Sequence, residues 1–224
     1  LKAKEIDKDF TAVVKRSRNV ADGMSKGVQF LMKKNNIEVI NGFGKVKAGK
    51  KVVVTDADKK ETEYTADHII IATGARAKEL PFLPIDGKKI IGYRQAMTLP
   101  EQPKKMIIVG SGAIGVEFAY FYNAMGTEVT IVEFLPVLVP LEDEEISKQF
   151  ERSFKKSGIH VMTNSSVTKV DTSGKGVIAT VKTKTGEETL EADIVLSAVG
   201  IKSNIENIGL EDVGIAVDRD KILV

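Results

Sequence analysis

No cysteine occurs in these 224 residues, which excludes a structural disulfide and leaves this stretch without a redox-active thiol. Histidine is nearly as scarce. Only His68 and His160 are present, and without clustered acids at ligand spacing a metal site is not expected. His160 alternates with Ile159 and Val161 in an expected strand, so its imidazole is read as solvated or hydrogen-bonded. No apolar run reaches the roughly 18 residues of a membrane span, and the N-terminus lacks a signal-peptide pattern. An excess of one charge is also missing. The 33 basic and 31 acidic residues leave +2, too little for an electrostatic case for nucleic acid or membrane binding. A soluble, cytoplasmic protein of one or two domains is expected, with 42% hydrophobic residues sufficient for a real core. Leu1 is not an initiator methionine, and Val224 stops inside an apolar strand-like run, so both ends read as cuts through a longer protein.

What the chain does have is concentrated between Lys105 and Glu133. Met106–Val109 is a short apolar run that fits a buried parallel strand. It ends in Gly110-Ser111-Gly112-Ala113-Ile114-Gly115, a G-x-G-x-x-G turn. An apolar helical stretch follows to Ala124, with Gly126 at the position of a C-terminal cap. A second strand, Glu128–Val132, closes on Glu133, 23 residues after Gly110. Each part suits a dinucleotide. Gly110 permits the tight turn, Gly112 lets the backbone approach a pyrophosphate, and Gly115 lets helix and strand pack closely. The phosphates would sit on free N–H groups at the positive end of the helix dipole. Glu133 is spaced to accept hydrogen bonds from an adenosine ribose. Phe134, Leu135 and Pro136 follow the acid where a 2′-phosphate would call for a cation, so NAD(H) is preferred over NADP(H).

Around this centre the pattern alternates between helix and strand. From about Asp9 to Lys34, Phe10, Val14, Ser17, Ala21, Met24, Val28 and Leu31 fall on one helical face, expected to pack into a core. Gly23 and Gly27 within it suggest close backbone packing. Ile37–Ile40 reads as a short strand, Val52–Thr55 and Glu63–Ile71 flank a hairpin turn at Asp56–Lys60, and His68–Ala72 reads as a buried strand ending on Thr73-Gly74. Four prolines punctuate a connector at 80–103 carrying a short element near Tyr93–Leu99, and a domain boundary is placed near Leu99. Beyond Glu133, a helix is expected from about Glu142 to Ser157, with acids in its first turn and Lys155 and Lys156 in its last. Strands follow at Ile159–Met162 and Val167–Val170, then a meander over Val177–Thr183 and Glu188–Leu190, and a buried strand at Ile194–Val199 ending on Gly200. The order predicts an α/β fold, a Rossmann-like nucleotide-binding domain with a β-meander.

With these residues in place the sequence resembles the dihydrolipoamide dehydrogenases, among the FAD-dependent pyridine nucleotide–disulfide oxidoreductases. The markers are the long helix into Asn41-Gly42-Phe43-Gly44, the strand ending Ala72-Thr73-Gly74-Ala75, and the glycine turn continuing into Val116-Glu117. Glu133, Leu141–Ile146 and Ala198-Val199-Gly200 extend the match over essentially the whole chain. The resemblance implies that residues 1–98 are the later part of an FAD-binding domain, and that 99–224 form an inserted NAD-binding domain and the start of the return to the FAD domain. Gly44, Thr73, Gly74 and Ala75 would lie against FAD. Gly110, Ser111, Gly112, Ala113, Ile114 and Gly115 would cradle the NAD pyrophosphate, with Ile114 beside the flavin ring. Glu117, read as lying in the first helical turn, stands where the family has an acid reaching the nicotinamide end. Val167 and Gly200 fall at positions that line the NAD site.

The chain departs from the family pattern at three places. Gly200-Ile201-Lys202-Ser203-Asn204 replaces G-R-x-P-N, and Ala75 stands where Ser is common. The first glycine motif, the C-x4-C redox pair, the later FAD aspartate and the His-Glu acid/base pair are absent from these residues. No catalytic residue is therefore assigned here. The implied complete enzyme oxidises dihydrolipoamide through a disulfide and FAD, with hydride transfer to NAD⁺. It would serve a lipoyl-bearing acyltransferase of a 2-oxo acid dehydrogenase complex and act as a homodimer. An NADH oxidase or another disulfide reductase of the same fold, and a non-catalytic dinucleotide-binding module, remain as alternative readings.

Overall fold

The structure is a computed structural model that describes residues 7–224. The elements are α1 (Phe10–Lys34), β1 (Phe43–Lys47), β2 (Lys51–Thr55), β3 (Glu61–Thr65), β4 (Ala75–Ala77), β5 (Ile90–Ile91), α2 (Tyr93–Ala96), β6 (Lys105–Val109), α3 (Ala113–Met125), β7 (Glu128–Val132) and α4 (Glu144–Lys156). They continue with β8 (His160–Met162), β9 (Ser166–Asp171), β10 (Val177–Lys182), β11 (Glu187–Ala192), β12 (Ile194–Ser197), β13 (Ile201–Ser203), a 3₁₀ turn at Glu211–Val213, β14 (Val217–Asp218) and β15 (Lys221–Ile222). The chain divides into two compact units. One holds the residues up to Val20 together with Ala77–Gly200; the other holds Ala21–Arg76 and Ile201–Val224.

The first unit is built on a five-stranded parallel sheet of order β5-β12-β6-β7-β8. Successive side chains of a strand point to opposite faces, and both faces are covered. Met106, Ile108, Val129, Ile131 and Leu196 pack with Val116, Ala119 and Tyr122 of α3 and Phe154 of α4. Ile107, Val109, Val132 and Val195 pack with Val167, Val177, Ala179 and Val181 of the antiparallel sheet β11-β10-β9. This double burial is why Met106–Val109 is an unbroken apolar run. The sheet also takes in Ile90–Ile91 as β5, inside the stretch read as a connector.

Local chemistry sets the helix ends. The Asp143 carboxylate accepts from the N–H groups of Glu145 (2.9 Å) and Ile146 (3.3 Å), capping α4. Lys155 and Lys156 lie in its last turn. Gly126 closes α3 at φ +106°, a conformation that costs an L side chain about 1 kcal/mol or more. Inside the unit, the Tyr122 hydroxyl donates to the Ala96 carbonyl at 2.6 Å, and burial raises the phenol's pKa above its ordinary value of 10.0.

The second unit contains the antiparallel sheet β1-β2-β3 and the short ladder β14-β15. The β2–β3 turn is the hairpin read from Asp56–Lys60, where Asp56 accepts from the Asp58 and Lys60 N–H groups, each at 2.9 Å. Arg76 pairs with Glu206 at 2.6 Å, and together with Lys202 it holds that carboxyl well below the usual carboxylate range.

Several expected features are corrected here. Ile37–Ile40 and His68–Ala72 are not strands. Ile37, Val39 and Ile70 are exposed at 51%, 62% and 90%. A strand needs a neighbour for its N–H and C=O groups, and among the described residues none pairs with either segment. The apolar face of α1 is buried only at its start, at Phe10, while Met24, Val28 and Leu31 are exposed. A Cβ on Gly23 or Gly27 would meet nothing within 4 Å, so neither marks a close contact with a described element.

Buried polar groups generate two expectations for stability. The Ser197 hydroxyl is buried without a hydrogen-bond partner among the described residues. Ser197→Ala is expected to raise stability by about 1 kcal/mol in denaturant unfolding, because it removes an unsatisfied group. Tyr122→Phe leaves the Ala96 carbonyl unpaired and is expected to cost about 1–2 kcal/mol. Because the folded-state pKa of Tyr122 is raised, its contribution is complete below the unfolded pKa and is lost as pH rises beyond it. Unfolding measured through the alkaline range therefore shows a smaller loss for the Phe variant than for the parent chain.

Candidate functional site

The carboxyl ends of β6, β7 and β12 converge on one cleft of about 630 Å³ in the first unit. From β6 the chain adds β7 and β8 on one side, and after the meander it returns to add β12 on the other side of β6, so the cleft lies where strand order reverses. Open α/β sheets bind ligands at this switch point.

The glycine turn after β6 forms one wall. Gly110 has φ +100°, and a Cβ there would lie 2.5 Å from the Ala198 carbonyl oxygen. A Cβ on Gly115 would lie 2.1 Å from the Gly110 carbonyl oxygen. Both positions are closed to a side chain by the protein's own backbone. Gly112 differs: a Cβ there would meet nothing within 4 Å, and its φ is an ordinary −66°. It lines the cleft and caps α3. Val116 donates to the Gly112 carbonyl at 3.1 Å, and the N–H groups of Ala113, Ile114 and Gly115 precede this first intrahelical bond. Those donors and the helix dipole suit an anion.

Among the described residues Glu133 is the single charged side chain lining the cleft, and only 7% of it is exposed. Its Oε2 accepts from the Ser111 backbone N–H and from the Ser111 hydroxyl, each at 2.7 Å. Its Oε1 accepts from the Leu135 N–H, also at 2.7 Å. The backbone of Glu133 is fixed as well: its N–H donates to Met162 at 2.8 Å, and its carbonyl accepts from Ser165 at 2.9 Å. The rest of the lining is largely apolar, from Leu80, Phe82, Val109, Val132, Leu135 and Val167. The arrangement can hold a flat apolar ring against the aliphatic wall, hydroxyl donors at Glu133 and an anion at the glycine turn.

The cleft brings together Gly110, Ser111, Gly112, Glu133, Val167 and Gly200 of the sequence-derived residues. Ala113, Ile114, Gly115 and Glu117 lie along α3 outside its lining. Glu117 is exposed and is the fifth residue of α3, so it belongs to the second turn and not, as expected, to the first. The dipole argument for its carboxylate weakens accordingly, since the effect fades beyond the terminal turn. Gly44, Thr73, Gly74 and Ala75 are in the second unit. Gly44 pairs with Val54 in the β1–β2 ladder. The Thr73 carbonyl accepts from the Asn204 amide (3.1 Å) and the Gly74 carbonyl from the Asn204 N–H (3.0 Å). Sequence reasoning missed Leu80, Phe82, Ser165 and Ser166 as lining residues. The two serines stand between short apolar runs and belong to no motif.

The family model for the pyridine nucleotide-disulphide oxidoreductases matches residues 2–224. A dihydrolipoyl dehydrogenase of Zymomonas mobilis is 42% identical over 219 residues, covering 97% of this chain and 47% of that protein. One from Rhizobium etli is 43% identical over 226 residues, covering 94% and 47%. The crystal structure of LpdA from Mycobacterium tuberculosis superposes with a TM-score of 0.87 at 29% identity, over 97% of this chain and 48% of that one. The HOCl-induced flavoprotein disulfide reductase RclA from Escherichia coli gives 0.82 at 26%, over 97% and 49%. The chain thus spans about half the length of the relatives it matches. A matching family model over nearly every residue, on a parallel sheet with a glycine turn and a buried acid at its switch point, shows that the chain belongs to the pyridine nucleotide-disulphide oxidoreductase family.

Proposed function

We propose that this chain carries the NAD site and part of the FAD site of a dihydrolipoyl dehydrogenase. The observation that carries the reading is the buried Glu133 carboxylate, placed against the glycine turn as the cleft's single charge among the described residues. The dinucleotide fits what is present. Gly112 keeps open space where a pyrophosphate would approach the backbone, the N–H groups from Ala113 to Gly115 are donors for it, and Glu133 accepts a ribose hydroxyl. Val167 and Gly200 contribute to the wall. A 2′-phosphate would face the Glu133 carboxylate with no lysine or arginine among the described lining residues, which supports NAD(H) over NADP(H).

FAD is assigned to the second unit through Gly44, Thr73, Gly74 and Ala75, and within the first unit Glu117 is assigned to the nicotinamide end of NAD. When bound, the two cofactors supply the hydride chemistry, and the chain's residues bind, orient and exclude water. No cysteine stands among these residues, so no thiol exchange with dihydrolipoamide is assigned to them. In the complete protein we place this chemistry in a homodimer that serves the lipoyl-bearing acyltransferase of a 2-oxo acid dehydrogenase complex, in the cytoplasm. Among the described residues no helix is long and apolar enough to cross a membrane. The likeness to RclA supports a second reading, a different flavoprotein disulfide reductase of the same architecture.

Calorimetric titration of the chain with NADH and with NADPH tests the cofactor assignment. NADH is expected to bind more tightly; tighter NADPH binding contradicts it. Glu133→Ala is expected to weaken NADH by about 1–3 kcal/mol, the range of a charged hydrogen bond, with far-UV circular dichroism confirming that the variant is folded. The chain alone is expected to show no lipoamide reductase activity, and measurable turnover would overturn that assignment.

A further inference from the structure

The side-chain amide of an asparagine can be attacked by the backbone nitrogen of the residue after it. Glycine leaves that nitrogen most open, because it has no Cβ to stand in the way. Among the eight asparagines of this chain, Asn41 is the one followed by glycine. The fold imposes the pair. A Cβ on Gly42 would lie 2.6 Å from the Thr55 carbonyl oxygen and 2.5 Å from Val54 Cγ1, so β1 can start beside β2 only with glycine there. The fold also leaves the pair open. Both residues are exposed just before β1, and among the described residues no hydrogen bond holds the Asn41 amide or the Gly42 N–H.

The comparable positions are closed. Asp22-Gly23 lies inside α1, where helical geometry spends the Gly23 N–H on the carbonyl four residues back. At Asp86-Gly87 the carboxylate accepts from the N–H groups of Lys88 (2.7 Å), Lys89 (2.8 Å) and Ile90 (3.0 Å), and the Gly87 N–H donates to the Ile90 carbonyl at 3.1 Å. The amides of Asn35, Asn123 and Asn204 donate to the Leu31, Ser157 and Thr73 carbonyls at 2.8, 3.0 and 3.1 Å. After Asn36 and Asn164 the attacking nitrogen is itself engaged, Ile37 donating to Met32 and Ser165 to Glu133, each at 2.9 Å. Asn19 sits inside α1, and Asn207 precedes the buried, β-branched Ile208.

We propose that Asn41 is a site of spontaneous modification, converting through a cyclic succinimide to aspartate and isoaspartate. The Gly42 nitrogen bonds to Asn41 Cγ, the Cγ–Nδ2 bond breaks, and ammonia leaves with the proton from the Gly42 N–H. Water then adds to either carbonyl of the ring and reopens it. The balance is amide plus water to carboxylate plus ammonium, with no change of oxidation state. Opening at the Asn41 backbone carbonyl gives isoaspartate, whose main chain is one methylene longer. That insertion stands two residues before the Phe43–Thr55 pair, where the Gly42 backbone has no room to move toward Thr55.

The test is incubation of the full 224-residue chain in native buffer at mildly alkaline pH, with peptide mapping by mass spectrometry at intervals. The Asn41 peptide is expected to gain the mass of amide-to-acid conversion at least about tenfold faster than any other asparagine peptide, a barrier lower by about 1.4 kcal/mol. Aspartate and isoaspartate are both expected there, the second identified by methyl transfer from an isoaspartate methyltransferase. An unchanged Asn41, a faster conversion elsewhere, or aspartate without isoaspartate overturns the proposal. The same incubation in urea separates fold from sequence. Asn41 is expected to convert at a similar rate in both buffers, whereas Asn164, whose following nitrogen the fold ties, is expected to speed up. Conversion of Asn41 in urea but not in native buffer means that the folded chain closes the pair, which overturns the proposal. Asn41→Gln, which would have to close a larger ring, is expected to abolish the mass gain in this peptide with an unchanged far-UV circular dichroism spectrum. A persistent gain assigns the conversion to another residue and also overturns it.

Discussion

The clearance between a strand end and a helix start governs this molecule. A Cβ on Gly115 would sit 2.1 Å from the Gly110 carbonyl oxygen, and one on Gly110 would sit 2.5 Å from that of Ala198. Backbone cannot yield by such amounts, so β6, α3 and the end of β12 meet at this distance only with glycine at both positions. Their meeting puts the start of α3 beside the carboxyl ends of three parallel strands, and the cleft exists because of it. The middle glycine has no such reason inside the chain. Gly112 borders open space at an ordinary φ, and in the proposed reading that space takes the pyrophosphate against the backbone.

The two faces of the parallel sheet then do different work. Helices α3 and α4 cover one face. The β9–β10–β11 meander covers the other, and Val167 at the start of β9 reaches from that core into the cleft wall. Glu133 stands where the second cover meets the turn, tied to Met162 and Ser165 through its backbone and to Ser111 and Leu135 through its side chain. Three donated hydrogen bonds satisfy this buried side chain with no cationic neighbour among the described lining residues.

How far the sequence reveals this depends on whether the cause of a feature is local. The run Met106–Val109, the glycine turn, the cap at Gly126 and the acid after β7 are legible because each is a short-range requirement of backbone or period. The caps and end charges of α4 are legible for the same reason. The face of α1 and the segments Ile37–Ile40 and His68–Ala72 are not, because apolar composition says that a surface can be buried, not that a described neighbour buries it. β5 is two residues long and exists through its pairing with β12, which no periodicity could announce. Within the site, the residue types were readable but the hydrogen bonds were not. That Ser111 donates twice to Glu133, and that Glu117 misses the first turn, are matters of register along a loop and a helix. The division into FAD and NAD portions stays a proposal built on resemblance.

The central claim is that the glycine turn and Glu133 together form the dinucleotide site. Backbone amide shifts of the isotope-labelled chain, followed as NADH is added, test it most directly. The account predicts the largest changes at Gly110–Gly115 and at Glu133 and Leu135, with the β10–β11 turn near Gly186 unmoved. Saturable NADH binding with the largest changes elsewhere, and Gly112 and Glu133 unaffected, would contradict it.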